Sequence, residues 1–260
     1  MAWFDSHTHL ESPRFDEDRE QVIARAREAG VTRMVTCGSD LETSGQCVAI
    51  AAAHGGVHAA VGVHAHEASS AMDDGVVSEE AMTRLAAWAE EPVVVAIGEI
   101  GLDYHYDFSP RDIQRAVLQR QLRLARDLEL PVILHNREAD EDLREALEAA
   151  GTWHGVLHCF MSDAELATWA LERGLYIGIA GPITFRNVTH LPDIVRRVPL
   201  DRLLVETDCP WLAPHPRRGR RNEPAYVRYV AERLAEILDV PAEEIAAQTT
   251  ANACRLFGID

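Results

Sequence analysis

The sequence predicts an α/β fold of the (β/α)8 barrel class, and three observations carry that expectation. Eight short β-type runs alternate with longer stretches of helical periodicity, most of the runs end on titratable residues, and 260 residues suit one large barrel domain. The runs are Ala2–Asp5, Arg33–Cys37, Ala59–Val63, Val93–Ile97, Val132–Leu134, Gly155–His158, Leu175–Ile179 and Leu203–Glu206. Between them, Ser109 and Pro110 open a run with Ile113, Val117, Leu124 and Leu128 on one side, as a serine cap and a first-turn proline do. Ser162 with Glu165 reads as a capping box, and Gly30, Gly151 and Gly174 fall where helices stop before the next strand. Pro224 to Phe257 reads as two helices packed outside the barrel, and with no linker, repeat or low-complexity segment, residues 1–260 read as a single domain.

Composition narrows the function. Apolar residues make up 47% of the chain, yet no apolar run reaches the length of a membrane span, and the N-terminus lacks a basic region followed by a hydrophobic stretch. The five cysteines are odd in number and widely spaced, with no CxxC pair, which points to a reducing, cytoplasmic compartment. A formal charge of −17 argues against sequence-blind coating of DNA, which needs many phosphates neutralised at once. All 25 basic residues are arginine. That excludes a Walker lysine, a Schiff-base lysine, and the lysine carbamate that bridges metals in some barrels, so any bridging ligand is Asp or Glu.

Barrels of this class assemble their active sites at the C-terminal ends of the strands. Here strand one runs into His7 and His9, and later strands run into His64, Glu99, His135, His158 and Asp208. In an extended segment residues i and i+2 point to the same side, so both imidazoles of the His7-Thr8-His9 pair can reach one ion. A polar turn is the plainer reading of that pair alone. Glu99 follows a strongly apolar run, where a carboxylate needs a cation. It is the candidate for a carboxylate shared by two metals, and a salt bridge to Arg137 is the alternative. His135 and His158 taken singly are equally readable as core histidines, but their shared position at strand ends makes a two-metal hydrolase site the better account. Asp208 is placed to hold an ion and to accept a proton from water.

At these residues the chain resembles the TatD-type metal-dependent deoxyribonucleases of the amidohydrolase-like barrel group. The resemblance runs nearly end to end. It rests on Asp5-Ser6-His7-Thr8-His9-Leu10, Gly98-Glu99-Ile100-Gly101-Leu102-Asp103-Tyr104, Leu134-His135-Asn136-Arg137-Glu138-Ala139, His158-Cys159-Phe160, Gly181-Pro182-Ile183-Thr184-Phe185 and Glu206-Thr207-Asp208-Cys209-Pro210. Arg218-Gly219-Arg220-Arg221-Asn222-Glu223-Pro224 also resembles the family's loop. The resemblance implies that His7, His9, Glu99 and Asp208 hold one divalent ion and Glu99, His135 and His158 the other. It also implies that His64 contacts substrate phosphate, in a segment where Ala65 stands in place of the family's proline. Met161-Ser162-Asp163 departs from the family's small-residue turn. The implied activity is hydrolysis of DNA phosphodiesters from the 3′ ends of single strands, with magnesium in support. Four histidine ligands suit zinc or manganese better.

Arginine must supply all cationic help. Arg137 lies two residues past His135 and is placed to fork onto a phosphate oxygen, with a salt bridge to Glu138 or Glu141 as the alternative. Arg217, Arg218, Arg220 and Arg221 are placed to hold a DNA backbone, and a solvated loop is the plainer reading. Asp103, Tyr104 and Glu206 are expected to orient ligand histidines. Trp211 is expected either to stack a base or to fill core space, and Cys209 to be a small apolar filler. Two other functions compete: a two-metal hydrolase of a small ester, lactone or amide, and a non-catalytic metal-binding partner protein. No obligate protein partner is evident in the sequence.

Overall fold

The computed structural model describes residues 2–151 and 153–259. Its eight main strands are β1 (Trp3–Thr8), β2 (Val31–Cys37), β3 (Val57–Val61), β4 (Val94–Asp103), β5 (Val132–Arg137), β6 (Gly155–Leu157), β7 (Tyr176–Ile179) and β8 (Leu203–Val205). Their order in the sheet is their order in the chain, and the paired registers are parallel. The helices are α1 (Arg19–Glu28), α2 (Leu41–Ala53), α3 (Glu79–Ala89), α4 (Arg111–Asp127), α5 (Asp140–Ala150), α6 (Ala164–Glu172), α7 (Leu191–Val195), α8 (Val227–Leu238) and α9 (Ala242–Phe257). The fold class is the (β/α)8 barrel class of α/β proteins. No helix among the described residues is long and apolar enough to cross a membrane.

The chain divides into two compact units, Met1–Thr36 with His158–Asp260, and Cys37–Leu157. In the first, the end of β1 is tied to the segment after β8. Thr8 and Cys209 form a parallel bridge, the Asp208 amide donates to the His7 carbonyl at 3.0 Å, and the His9 amide donates to the Cys209 carbonyl at 2.8 Å. Asp5 secures the same junction by accepting the amide and the hydroxyl of Thr207 at 2.9 and 2.6 Å. Burial lifts the Asp5 pKa well above the usual carboxylate value, against the pull of those Thr207 bonds. Helices α8 and α9 are the two expected from Pro224 to Phe257; Phe257 stacks on Phe4 of β1, and the Asn252 amide donates to the carbonyls of Leu200 and Leu203.

In the second unit β4 is buried along its whole length, as parallel strands covered on both faces are. It runs six residues past the expected end at Ile97, and β5 runs on to Arg137, because Ile100 to Asp103 pair in register with Leu134 to Arg137. Glu99 therefore lies within β4 and not beyond it. Gly101 makes that pairing possible. Its φ is +152°, and a Cβ there would meet the His135 carbonyl oxygen at 1.9 Å.

Two helix starts differ from expectation. Pro110, not Ser109, caps α4, and the Ser109 hydroxyl instead donates to the His66 carbonyl and accepts from the Ser69 amide. Asp163, not Ser162, caps α6, because its carboxylate accepts from both Glu165 and Leu166 amides. The helix stops hold: Gly30, Gly151 and Gly174 all have positive φ.

Candidate metal centre

In the first unit the i, i+2 geometry of β1 brings His7 and His9 together with Asp208. His7 Nε2 lies 3.0 Å from His9 Nε2, and Asp208 Oδ1 lies 3.8 Å from the first and 3.5 Å from the second. Donors about 2.1 Å from one tetrahedral ion lie about 3.4 Å apart, so the three atoms have the spacing of a shared coordination sphere. The ring chemistry points the same way. His9 Nδ1 faces Glu11 Oε1 at 3.2 Å, and a carboxylate only accepts, so the proton of neutral His9 sits on Nδ1. Nε2 then turns a lone pair toward the Asp208 carboxylate, an arrangement that a cation between them resolves.

His158 stacks on His7 with ring centroids 3.9 Å apart, and its Nδ1 lies 3.4 Å from Glu206 Oε1. Glu206 is fully buried and also accepts from the Cys159 amide and the Ser6 hydroxyl. The chain bends sharply at both places: Cys159 has φ 42° and Asp208 φ 57°, a left-handed conformation uncommon outside glycine. Burial would raise the Asp208 pKa, but its contact with His9 and the nearby His7 and His158 outweigh it, and the group sits below its ordinary value.

The second unit gathers His64, Glu99 and His135. Glu99 Oε1 lies 3.3 Å from His64 Nε2 and 3.1 Å from His135 Nδ1, so Glu99 meets imidazoles, and Arg137 is elsewhere. His135 has a carboxylate on each ring nitrogen, with Nε2 at 3.1 Å from Asp103 Oδ2. A neutral imidazole carries one proton, so one nitrogen again offers a lone pair to a carboxylate. His64 differs. Its Nδ1 accepts from the His66 amide, which leaves the proton on Nε2, and burial pushes its pKa down to about 4 against the opposing pull of Glu99. At neutral pH His64 is thus an uncharged donor.

Asp103 and Glu206 do face ligand-type histidines as the sequence led us to expect. Asp103 would be raised by burial, but hydrogen bonds from His135, the Tyr106 amide and His66 hold it well below the usual carboxylate range. Tyr104 does not join them; its hydroxyl donates to Asp142 and accepts from Arg115. Trp211 fills no core: it is 43% exposed and stands edge-on to His9, centroids 4.9 Å apart. Cys209 is buried, and burial raises its thiol pKa well above normal, as suits a filler.

Most of these arginines make contacts within the chain. Arg137 lies over the Tyr106 ring at 4.7 Å, while Glu138 pairs with His105 at 2.7 Å. Arg221 forks onto Asp18 at 2.8 and 2.7 Å, Arg217 reaches the Tyr229 hydroxyl, and Arg218 covers the Phe185 ring at 3.8 Å. Arg220 is exposed. Sequence reading missed Glu11 and His66. Glu11 follows His9 at the i+2 spacing that unites the two histidines, a usable signal; His66 pairs with Asp103 across 37 positions, which leaves none.

Comparison with known proteins identifies the family. The family model described as TatD related DNase matches residues 4–258. An uncharacterized metal-dependent hydrolase, YabD of Bacillus subtilis, is 43% identical over 99% of both chains. A protein named 3'-5' ssDNA/RNA exonuclease TatD, from Cronobacter turicensis, is 40% identical over 98% of this chain and 97% of its own. The crystal structure of YJJV, a TatD homolog from Escherichia coli K12, aligns with a TM-score of 0.91 at 31% identity, covering 99% of this chain and 98% of the other. With a whole-length family match and relatives above 40% or at 40% identity, the chain belongs to the TatD related DNase family of metal-dependent hydrolases.

Proposed function

We propose that this chain removes nucleotides from the 3′ ends of single-stranded DNA by hydrolysis, in the cytoplasm, as a single domain spanning 1–260. The observation that supports the reading is the facing of imidazole nitrogens and carboxylates, at His9 with Asp208 and at His135 with Glu99, which a divalent ion between them would bridge. Divalent ions, one with His7, His9 and Asp208 among its ligands and one with Glu99 and His135 among its ligands, would polarise the phosphate and acidify water. Zinc or manganese suits the imidazoles, whereas magnesium favours oxygen donors.

The chain's own groups supply the remaining steps. Asp208, ionised at neutral pH, accepts the proton of the attacking water. His64, whose Nδ1 contact supports a proton on Nε2, would turn that N–H from Glu99 to a phosphate oxygen. Glu11, Glu206 and Asp103 hold His9, His158 and His135 in the ligating tautomer. Arg137 and the exposed Arg220 take non-scissile phosphates. The direction of attack follows the name of the Cronobacter relative.

A 5′-labelled single strand incubated with the metal-loaded protein should shorten in single-nucleotide steps from the 3′ end. Internal cuts would contradict the exonuclease reading. Silence on DNA, with turnover of a small ester or lactone, would transfer the site to small-molecule hydrolysis.

A further inference from the structure

The loop after β4 presents Tyr106 and Phe108 to solvent, 49% and 67% exposed, with rings 5.2 Å apart and 21° from parallel. A phenyl ring left exposed forgoes roughly 2 kcal/mol of burial. Nothing about this loop is loose. Asp103 Oδ1 accepts the amides of His105 and Tyr106 at 3.0 and 2.8 Å, and Arg111 forks onto Asp107 while covering the Tyr104 ring at 4.3 Å. Tyr106 is thus anchored through its own amide, and Asp107 between the two rings through Arg111, which preorganises the exposed pair.

Its position relative to the histidines is equally specific. The same Asp103 that anchors the loop through Oδ1 holds His135 and His66 through Oδ2 at 3.1 and 2.9 Å. His66 stands edge-on to Phe108 at 4.8 Å and lies 6.0 Å from the His135 ring, so one imidazole separates the aromatic pair from a candidate ligand. The Arg137 guanidinium covers Tyr106 at 4.7 Å. A flat, sequence-tolerant π surface next to a fixed cation is what a base and its phosphate require together.

We infer that Phe108, stacked on Tyr106, is the platform for a nucleobase of the single-stranded substrate, with Arg137 beside it for the adjoining phosphate. The assignment rests on the phosphodiester reading above and extends it to how the strand is gripped. Stacking on a ring selects unpaired bases, since a duplex offers its π faces only at its ends.

The test uses a phosphorothioate-linked single strand carrying 2-aminopurine near its 3′ end, titrated with the metal-loaded full chain. The wild type should quench the fluorescence on binding. Phe108→Ala should weaken binding about ten-fold and lose most of the quench, Phe108→Trp should retain both, and an abasic strand should bind wild type about as weakly as the normal strand binds Phe108→Ala. Phe108→Ala that binds and quenches like wild type, or wild type that binds without quenching, overturns the platform. Stacking lost with Phe108 in a protein that cleaves no DNA would sustain the platform and sink the nuclease reading instead.

Discussion

Glu11 and Asp208 separate two tasks that a list of ligands would merge. Glu11 Oε1 fixes the proton of His9 on Nδ1, and Thr36 holds the other oxygen of Glu11 at 3.0 Å. Glu11→Gln removes the charge but keeps the shape, so metal affinity should fall about 10- to 100-fold with the far-ultraviolet spectrum unchanged. Competition against a chromogenic chelator reads this directly, and unchanged affinity would remove Glu11 from the site. Asp208→Asn should lower kcat by about 10²- to 10⁴-fold, since the proton acceptor is lost. A change confined to KM would leave Asp208 as a binding group only. The His-x-His pair was legible in sequence because strand geometry alone unites i and i+2, and the same rule reaches Glu11 once it is asked. The link from Asp103 to His66 was not, because only the tertiary fold brings residues 37 apart together.

At the scale of elements, strand existence and order were legible and strand ends were not. The polar and glycine-rich stretch from Gly98 to Asp103 has the composition of a turn, yet it continues β4 because the extension of β5 offers it a partner. Functional rims carry the residues that also mark loops, so their boundaries are the least readable part of such a sequence. Gly101→Ala tests the pairing. With a Cβ 1.9 Å from the His135 oxygen, the variant should lose on the order of 4 kcal/mol of stability in chemical denaturation and displace His135 from the site. Near-normal stability would mean that β4 and β5 separate without cost. A second element-scale contact is titratable. Asp18 accepts from Arg221 and from Arg25, and the Arg221 bond foremost holds its pKa below normal. A carboxyl depressed in the folded state stabilises above its unfolded pKa of about 3.9, and that contribution is lost as pH falls through the folded value. Asp18→Asn should cost about 1 kcal/mol at pH 7, and the gap to wild type should close below about pH 4. A gap that persists in acid would assign the effect to packing.

For the molecule as a whole, a formal charge of −17 opposes DNA, and the proposed function draws its cationic help from Arg137 and Arg220. Attachment through so few phosphates predicts a shallow slope of log affinity against log salt, no steeper than about −2, and no processive tracking along long duplexes at physiological salt. A slope near −6 would reveal an extended cationic track that the sequence does not supply. The most direct test of the central claim is cleavage of end-labelled single-stranded DNA by metal-stripped protein resupplied with magnesium, manganese or zinc, beside His135→Ala. The account requires silence when stripped, stepwise nucleotide release on return of an ion, and its loss in the variant. Cleavage that survives metal removal, or that His135→Ala retains in full, would contradict it.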